Sequence, residues 1–240
     1  KLKKQGIPTI HYVSPSIWAW RGGRIRKIKR AVTHMLALFP FEPALYESVK
    51  MPVTYVGHPL ADELPLRPNK TAARNLLKLR QNELVIAMLP GSRQSEVLQH
   101  AELFVKTAEL MNQHHVSAKF IVPLITRETR DIFERALAKS TDNTLEMKLL
   151  FSHAHDAMEA ADFVIVASGT ATLEAALLKQ PMIITYRMST LSWWLLKSMH
   201  YLPYVGLPNV LAGKFIVPEL LQKSATPEKL NETMAAMLKD

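Results

Sequence analysis

Two short segments carry the residue types that bind phosphate. Leu89-Pro90-Gly91-Ser92-Arg93-Gln94-Ser95-Glu96 follows an apolar run and leads into an amphipathic one. Its glycine permits close backbone approach, Ser92 or Ser95 can cap a helix, and Arg93 can pair bidentately with a phosphate. Ala167-Ser168-Gly169-Thr170-Ala171-Thr172-Leu173-Glu174 has the same setting and smaller residues. Free N–H groups at a helix start favour anions, so each segment reads as an anion cradle or as an ordinary strand–helix turn. Glu174 falls one helical turn after Thr170. A carboxylate there does nothing for a phosphate but can accept two hydrogen bonds from a ribose diol. Alone, it is also the acid that a helix dipole favours. Two cradles on one sheet, the second followed by an acid, point to a nucleoside diphosphate. Neither segment has the spacing of a P-loop or of G-x-G-x-x-G.

Both cradles need a strand before them and a helix after them, and the chain supplies that beat. Apolar runs at 84–89, 119–124, 147–150, 163–167 and 182–186 alternate with amphipathic stretches at 96–112, 128–138, 155–161 and 170–178. Continuous Val/Ile/Leu strands separated by helices predict an α/β fold with a parallel sheet covered on both faces. Upstream, strands are expected at 7–13, 35–39 and 53–56, a basic helix at 18–30, and helices at 43–49 and 70–79. The last helical pattern starts near Thr226.

The chain has 240 residues, with apolar and charged fractions of a globular protein and no cysteine. A disulfide framework, a Cys-ligated zinc and a thiol nucleophile are therefore excluded. The nine histidines show no metal-ligand spacing, and His153 and His155 read as surface residues. The net charge of +9 is uneven: residues 1–80 hold fifteen Lys/Arg against four Asp/Glu, and the rest is nearly balanced. An anionic partner on one side is implied. With the Pro-containing segment at 64–69, this shift predicts a boundary near residue 82, giving domains of 1–82 and 83–240. Residues 1–82 supply too few strands to close a sheet alone and read as the second half of a domain.

The Trp18–Arg30 segment sets six basic residues beside Trp18 and Trp20. Tryptophan with Arg24, Arg26, Lys27 and Arg30 suits an anionic membrane surface, a nucleic acid, or a plain solvated helix. Trp193 and Trp194 lie in an apolar stretch, Leu191–Tyr201, whose aromatic residues exceed one helix face. An exposed lipid-facing side and core packing are both open there.

Taken together, Tyr12–Trp20, Gly57-His58-Pro59, Leu89–Arg93, Ala167–Glu174, Tyr186-Arg187-Met188 and Leu207–Gly213 resemble the lipid-A-disaccharide synthase family, in order and along the whole chain. The resemblance implies a GT-B fold of two Rossmann-like, doubly wound parallel sheets, here one complete C-terminal domain and part of the N-terminal one. It implies transfer of 2,3-diacylglucosamine from its UDP derivative to 2,3-diacylglucosamine 1-phosphate, with inversion and release of UDP, without metal or cofactor. By motif position Ser92, Arg93, Ser168, Gly169, Thr170, Glu174 and Met188 would hold UDP, and Asn209 would lie at the catalytic cleft. The general base would lie in an N-terminal portion, and a tail would continue past Asp240, both outside this chain. The two tryptophan patches would meet anionic lipid on the inner face of the bacterial inner membrane, making a cytoplasmic, peripheral protein that could pair as a homodimer. No nucleic acid partner is expected. Another UDP-sugar enzyme of this fold, or a non-catalytic membrane-binding fragment, are the alternatives.

Overall fold

The computed structural model describes residues 2–19, 22–114, 118–189, 193 and 202–239. The chain forms two compact units that divide at Glu63–Leu64; residues 189, 193, 202 and 203 belong with the first, and 204–239 with the second.

In the first unit, β1 (Ile10–Tyr12), β2 (His34–Ala37) and β3 (Val53–Tyr55) form a parallel sheet in sequence order. The basic helix α1 (Ile25–Ala31) crosses from β1 to β2, and α2 (Glu42–Glu47) from β2 to β3. Ile25 and Ile28 turn inward onto a small core of Ile17, Val32, Met35, Tyr46 and Met51. Arg26, Lys27 and Arg30 are thereby turned outward, as the 3.6-residue period requires. The other face of the sheet carries Ile10 (70% exposed) and Tyr12 (51%). A short helix, α3 (Leu60–Glu63), ends the unit.

The second unit is a six-stranded, all-parallel sheet of β4 (Leu84–Leu89), β5 (Ala118–Leu124), β6 (Met147–Phe151), β7 (Phe163–Ala167), β8 (Met182–Tyr186) and β9 (Glu219–Leu221), in the order β6-β5-β4-β7-β8-β9. This is the doubly wound order, which reverses between β4 and β7. The side chains of β4 and β7 alternate between two cores. Ile86, Met88, Phe163 and Ile165 face α5 (Gln94–His114), α6 (Arg127–Leu137) and α10 (Pro227–Met237). Val85, Ala87, Val164 and Val166 face α4 (Lys70–Leu76), α7 (Ala154–Ala160) and α8 (Thr170–Leu177). Strands buried on both faces explain their unbroken apolar sequences. A six-residue helix, α9 (Leu207–Ala212), precedes β9.

The stretch 64–82 was expected to close the first part, and it packs on the second unit instead. Ala73 and Leu77 join the core under α7. Arg74, 3% exposed, donates through Nε to the Ala160 carbonyl (3.0 Å), through Nη1 to that of Gln81 (2.5 Å) and through Nη2 to Asp162 (2.7 Å). Asp162 also accepts from the Val85 N–H (2.7 Å) and pairs with Lys70. A buried guanidinium with a counter-ion and three carbonyl partners is tolerable only while the cluster is complete, so α4 is fastened to the sheet. The charge imbalance misleads here because the partner of Lys70 and Arg74 lies far downstream.

Burial raises the Asp162 pKa, but the Lys70 and Val85 hydrogen bonds and the Lys70 and Arg74 charges outweigh it, and the group sits below the usual value. A lowered folded pKa confers stability above the unfolded value of about 3.9, lost as pH falls through the folded one. Asp162→Asn should therefore be less stable at pH 7 and lose less stability than wild type on acidification below about pH 5. Urea unfolding at several pH values checks this; parallel acid limbs would refute it.

Candidate functional site

Four loops leave the carboxyl ends of β4, β7, β8 and β9 on one edge of the second sheet, and those after β4 and β7 flank the point where strand order reverses. Open α/β sheets bind ligands at such crevices. The two cradles read from the sequence are thus neighbours, but only one is open.

The loop after β4 is closed by its own acid. The Glu96 carboxylate accepts from the N–H groups of Ser92 (3.0 Å) and Arg93 (3.2 Å) and pairs with the Arg93 guanidinium (3.3 Å). This reach-back from the third helical position is half of a capping box. It occupies the donors that a phosphate would need. Gly91, at φ 116°, lies so close that a Cβ would stand 2.5 Å from Glu96 Cβ and 2.7 Å from Oε2. Ser92 and Arg93 therefore do not offer the free backbone cradle expected of them. What remains is the Arg93 guanidinium, 78% exposed and held at its base by Glu96.

The loop after β7 is open. Gly169 caps α8 without any side-chain hydrogen bond, at φ 152° and ψ −162°, a conformation essentially restricted to glycine. Among the described residues, the N–H groups of Gly169, Thr170 and Ala171 have no carbonyl partner, and nothing stands within 4 Å of where a Gly169 Cβ would be. Gly169 and Thr170 are exposed. Ser168 is tied down: its N–H donates to Thr185 (3.0 Å) and its hydroxyl to the Val205 carbonyl (3.4 Å). On the next turn, Glu174 accepts from His155 Nε2 at 3.0 Å, leaving its second oxygen for a ligand. His155 is still half exposed, but it is a partner of the site, which its spacing did not disclose.

A wall beside this terminus is built around Asn209, which is wholly buried. Its Nδ2 donates to the Val217 carbonyl and to Glu219 Oε1, both at 2.8 Å. Its Oδ1 accepts from the N–H groups of Ile216 (2.8 Å) and Val217 (2.9 Å). Two donors and two lone pairs are all that an amide has, so Asn209 has nothing left for a reacting atom. The expectation that it is catalytic gives way to a positioning role. Glu219 also accepts from the N–H groups of Val205 and Gly206 (2.9 Å each), and Leu207 N–H donates to Thr172 Oγ1 (3.3 Å). The Asn209 loop is thus stitched to the first turns of α8.

Met188 follows β8. In the amide orientation that satisfies both atoms, the Gln222 carboxamide donates to its carbonyl (3.2 Å) and accepts from its N–H (3.1 Å). The Met188 backbone is thereby engaged. Gln222, which the sequence did not single out, sits at the end of β9 where no motif marks it.

Of the two tryptophan patches, Trp20 and Trp194 lie outside the described residues. Trp18 is half buried in an aromatic cluster, edge-on to Phe41 (5.3 Å) and Phe39 (6.3 Å), so it is a packing residue. Trp193 is half buried as well. Arg24, Arg26, Lys27 and Arg30 are exposed on or beside α1. Among the described residues, no helix is long and apolar enough to cross a membrane.

A family profile described as lipid-A-disaccharide synthetase matches residues 1–240. Over all 240 residues the chain is 66% identical to the lipid-A-disaccharide synthase of Methylobacillus flagellatus and 58% identical to that of Dechloromonas aromatica. The chain belongs to the lipid-A-disaccharide synthetase family. It spans less than two thirds of these curated relatives, 64% and 63% of their lengths. Solved structures resemble this family member in fold at low identity. A UDP-GlcNAc 2-epimerase from Neisseria meningitidis superposes with a TM-score of 0.61 at 14% identity, over 98% of this chain and 63% of the epimerase. MurG from Acinetobacter baumannii gives 0.57 at 15%, over 98% and 59%, and the heptosyltransferase II of E. coli 0.55 at 12%, over 99% and 78%. The chain therefore has the α/β, Rossmann-like GT-B fold expected from its motifs.

Proposed function

We propose that this chain is the nucleotide-binding part of a glycosyltransferase that moves 2,3-diacylglucosamine from its UDP derivative to 2,3-diacylglucosamine 1-phosphate. The observation that carries the reading is the open start of α8 at the switch point, with Glu174 one turn on. In this reading the diphosphate lies on the N–H groups of Gly169 to Ala171, where the helix dipole favours negative charge. Arg93 approaches from the neighbouring loop, and the free oxygen of Glu174 takes the ribose. As the glycosidic bond breaks, charge builds on the departing UDP, and these donors stabilise it without reorganising. The first unit, with Arg24, Arg26, Lys27 and Arg30 exposed, takes the acceptor's phosphate and the anionic headgroups of a membrane surface.

Calorimetric titration of the chain with UDP, UMP and uridine tests this. UDP should bind most tightly, and Glu174→Gln should weaken UDP about tenfold, the effect of discharging one acceptor in a hydrogen-bonded pair. UDP binding no tighter than uridine would overturn the diphosphate assignment. An unchanged Glu174→Gln affinity would remove Glu174 from the ribose.

A further inference from the structure

One buried group links the loops that flank the open terminus, and none of the chemistry above uses it. His100 lies on the second turn of α5 and is wholly buried. Its Nδ1 lies 2.7 Å from the Glu96 carbonyl, and its Nε2 lies 3.0 Å from the backbone nitrogen of Arg187. A carbonyl can only accept and an N–H can only donate. The ring must therefore be neutral, with its proton on Nδ1 and its lone pair on Nε2. The Tyr186 ring packs 5.7 Å away and that of Phe104 5.9 Å away. One end of the bridge is thus the turn whose carboxylate closes the β4 loop. The other end is the first residue beyond β8, two residues after Thr185, which holds the N–H of Ser168.

We propose that His100 is a positioning residue of the nucleotide site, fixing the loops after β4 and β8 on either side of the open α8 terminus. The proposal rests on the nucleotide reading above and adds a regulation to it: the bridge holds only while the imidazole is uncharged. Protonation at Nε2 would set an N–H against the N–H of Arg187. Burial, the largest influence, lowers the pKa of the ring; the Arg187 charge acts the same way, and the Glu96 carbonyl bond and Glu96 charge oppose it. Among the described residues, no charge on α6 or α10, the helices packed against α5, acts on the ring. A lowered folded pKa means that the bridge's stabilisation is present at neutral pH. It begins to be lost as pH falls below about 6.5, the unperturbed value.

His100→Phe keeps the buried volume and removes the acceptor; His100→Gln can return an oxygen to the position of Nε2 without a titrating proton. At pH 7.5, His100→Phe should weaken UDP binding on the order of tenfold, and His100→Gln should stay within about twofold of wild type. Hydrogen exchange of the Arg187 N–H should speed up in the first variant and not in the second. In wild type, nitrogen-detected NMR should find a neutral Nδ1–H ring at pH 7.5. On acidification, the ratio of wild-type to His100→Gln affinity should fall with the same midpoint as that ring, the ligand's own phosphate titration near pH 6 cancelling in the ratio. A His100→Phe protein that binds UDP like wild type, a His100→Gln protein no better than His100→Phe, or a ring at pH 7.5 that is charged or carries its proton on Nε2 would each overturn the positioning role while leaving the nucleotide reading intact. Wild type that binds no UDP would overturn both.

Discussion

Gly169→Ala is expected to leave the chain folded and to weaken UDP binding by up to about a hundredfold. The residue sits at φ 152° and ψ −162°, where an L side chain costs about 1–3 kcal/mol. No neighbour obstructs the added methyl group, so the cost is conformational. The loop should relieve it by rotating away, which moves the N–H groups of residues 169–171. Binding that depends on three donors converging on one phosphate then loses most of that strain energy, and about 1.4 kcal/mol corresponds to each factor of ten. Gly213→Ala is the control: that glycine also has positive φ, 64°, but ends α9. It should lower the melting temperature by a few degrees without changing the UDP Kd. If Gly169→Ala binds UDP as wild type does, the α8 terminus is not the phosphate site.

Asn209→Ala should release the loop around it, at a cost of about 3 kcal/mol or more. The substitution removes the acceptor of the Ile216 and Val217 N–H groups, whose bonds are partly buried, and takes donors from Glu219 and the Val217 carbonyl. Each lost partner costs about 1 kcal/mol where water reaches the stranded group and up to about 3 kcal/mol where it does not. Asn209→Asp should not rescue it, because a second carboxylate would then face Glu219. The decisive measurement is hydrogen exchange at Ile216 and Val217, which should accelerate in both variants. Lost nucleotide binding with unchanged exchange at those amides would instead place Asn209 in contact with the ligand.

The second sheet was legible in the sequence because its strands are buried on both faces. Leu84–Leu89, Phe163–Ala167 and Met182–Tyr186 fall at their expected bounds, since continuous apolar runs admit no other reading at that length. α5 and α6 begin and end within two residues of expectation for the complementary reason, a long amphipathic period. α9 and β9 were not foreseen. They have six and three residues, too few for a period to register, and are held by the Asn209 and Glu219 hydrogen bonds more than by propensity. The site was half legible. Gly169 and Glu174 could be read because small residues and an acid at helical spacing carry a meaning of their own. Glu96 could not, because an acid at the third position of a helix signals a cap whether or not it also shuts an anion cradle. His100 stands at helical spacing with Val97, Ala101 and Phe104, and nothing in that pattern distinguishes a core histidine from a bridge to Arg187, eighty-seven residues away.

Among the described residues, one face of β1 and β2 is left open, and it bears on how the chain associates. Ile10 and Tyr12 stand exposed beside half-buried Leu36, and among the described residues β1 pairs on one side only, with β2, an arrangement onto which another strand can zip. At low ionic strength the net charge of +9 keeps copies apart. Added salt shortens the Debye length to about 8 Å at 0.15 M and removes that protection, while warming strengthens apolar association. Light scattering of this chain is therefore expected to rise with added salt and with warming, and Tyr12→Lys should delay that rise.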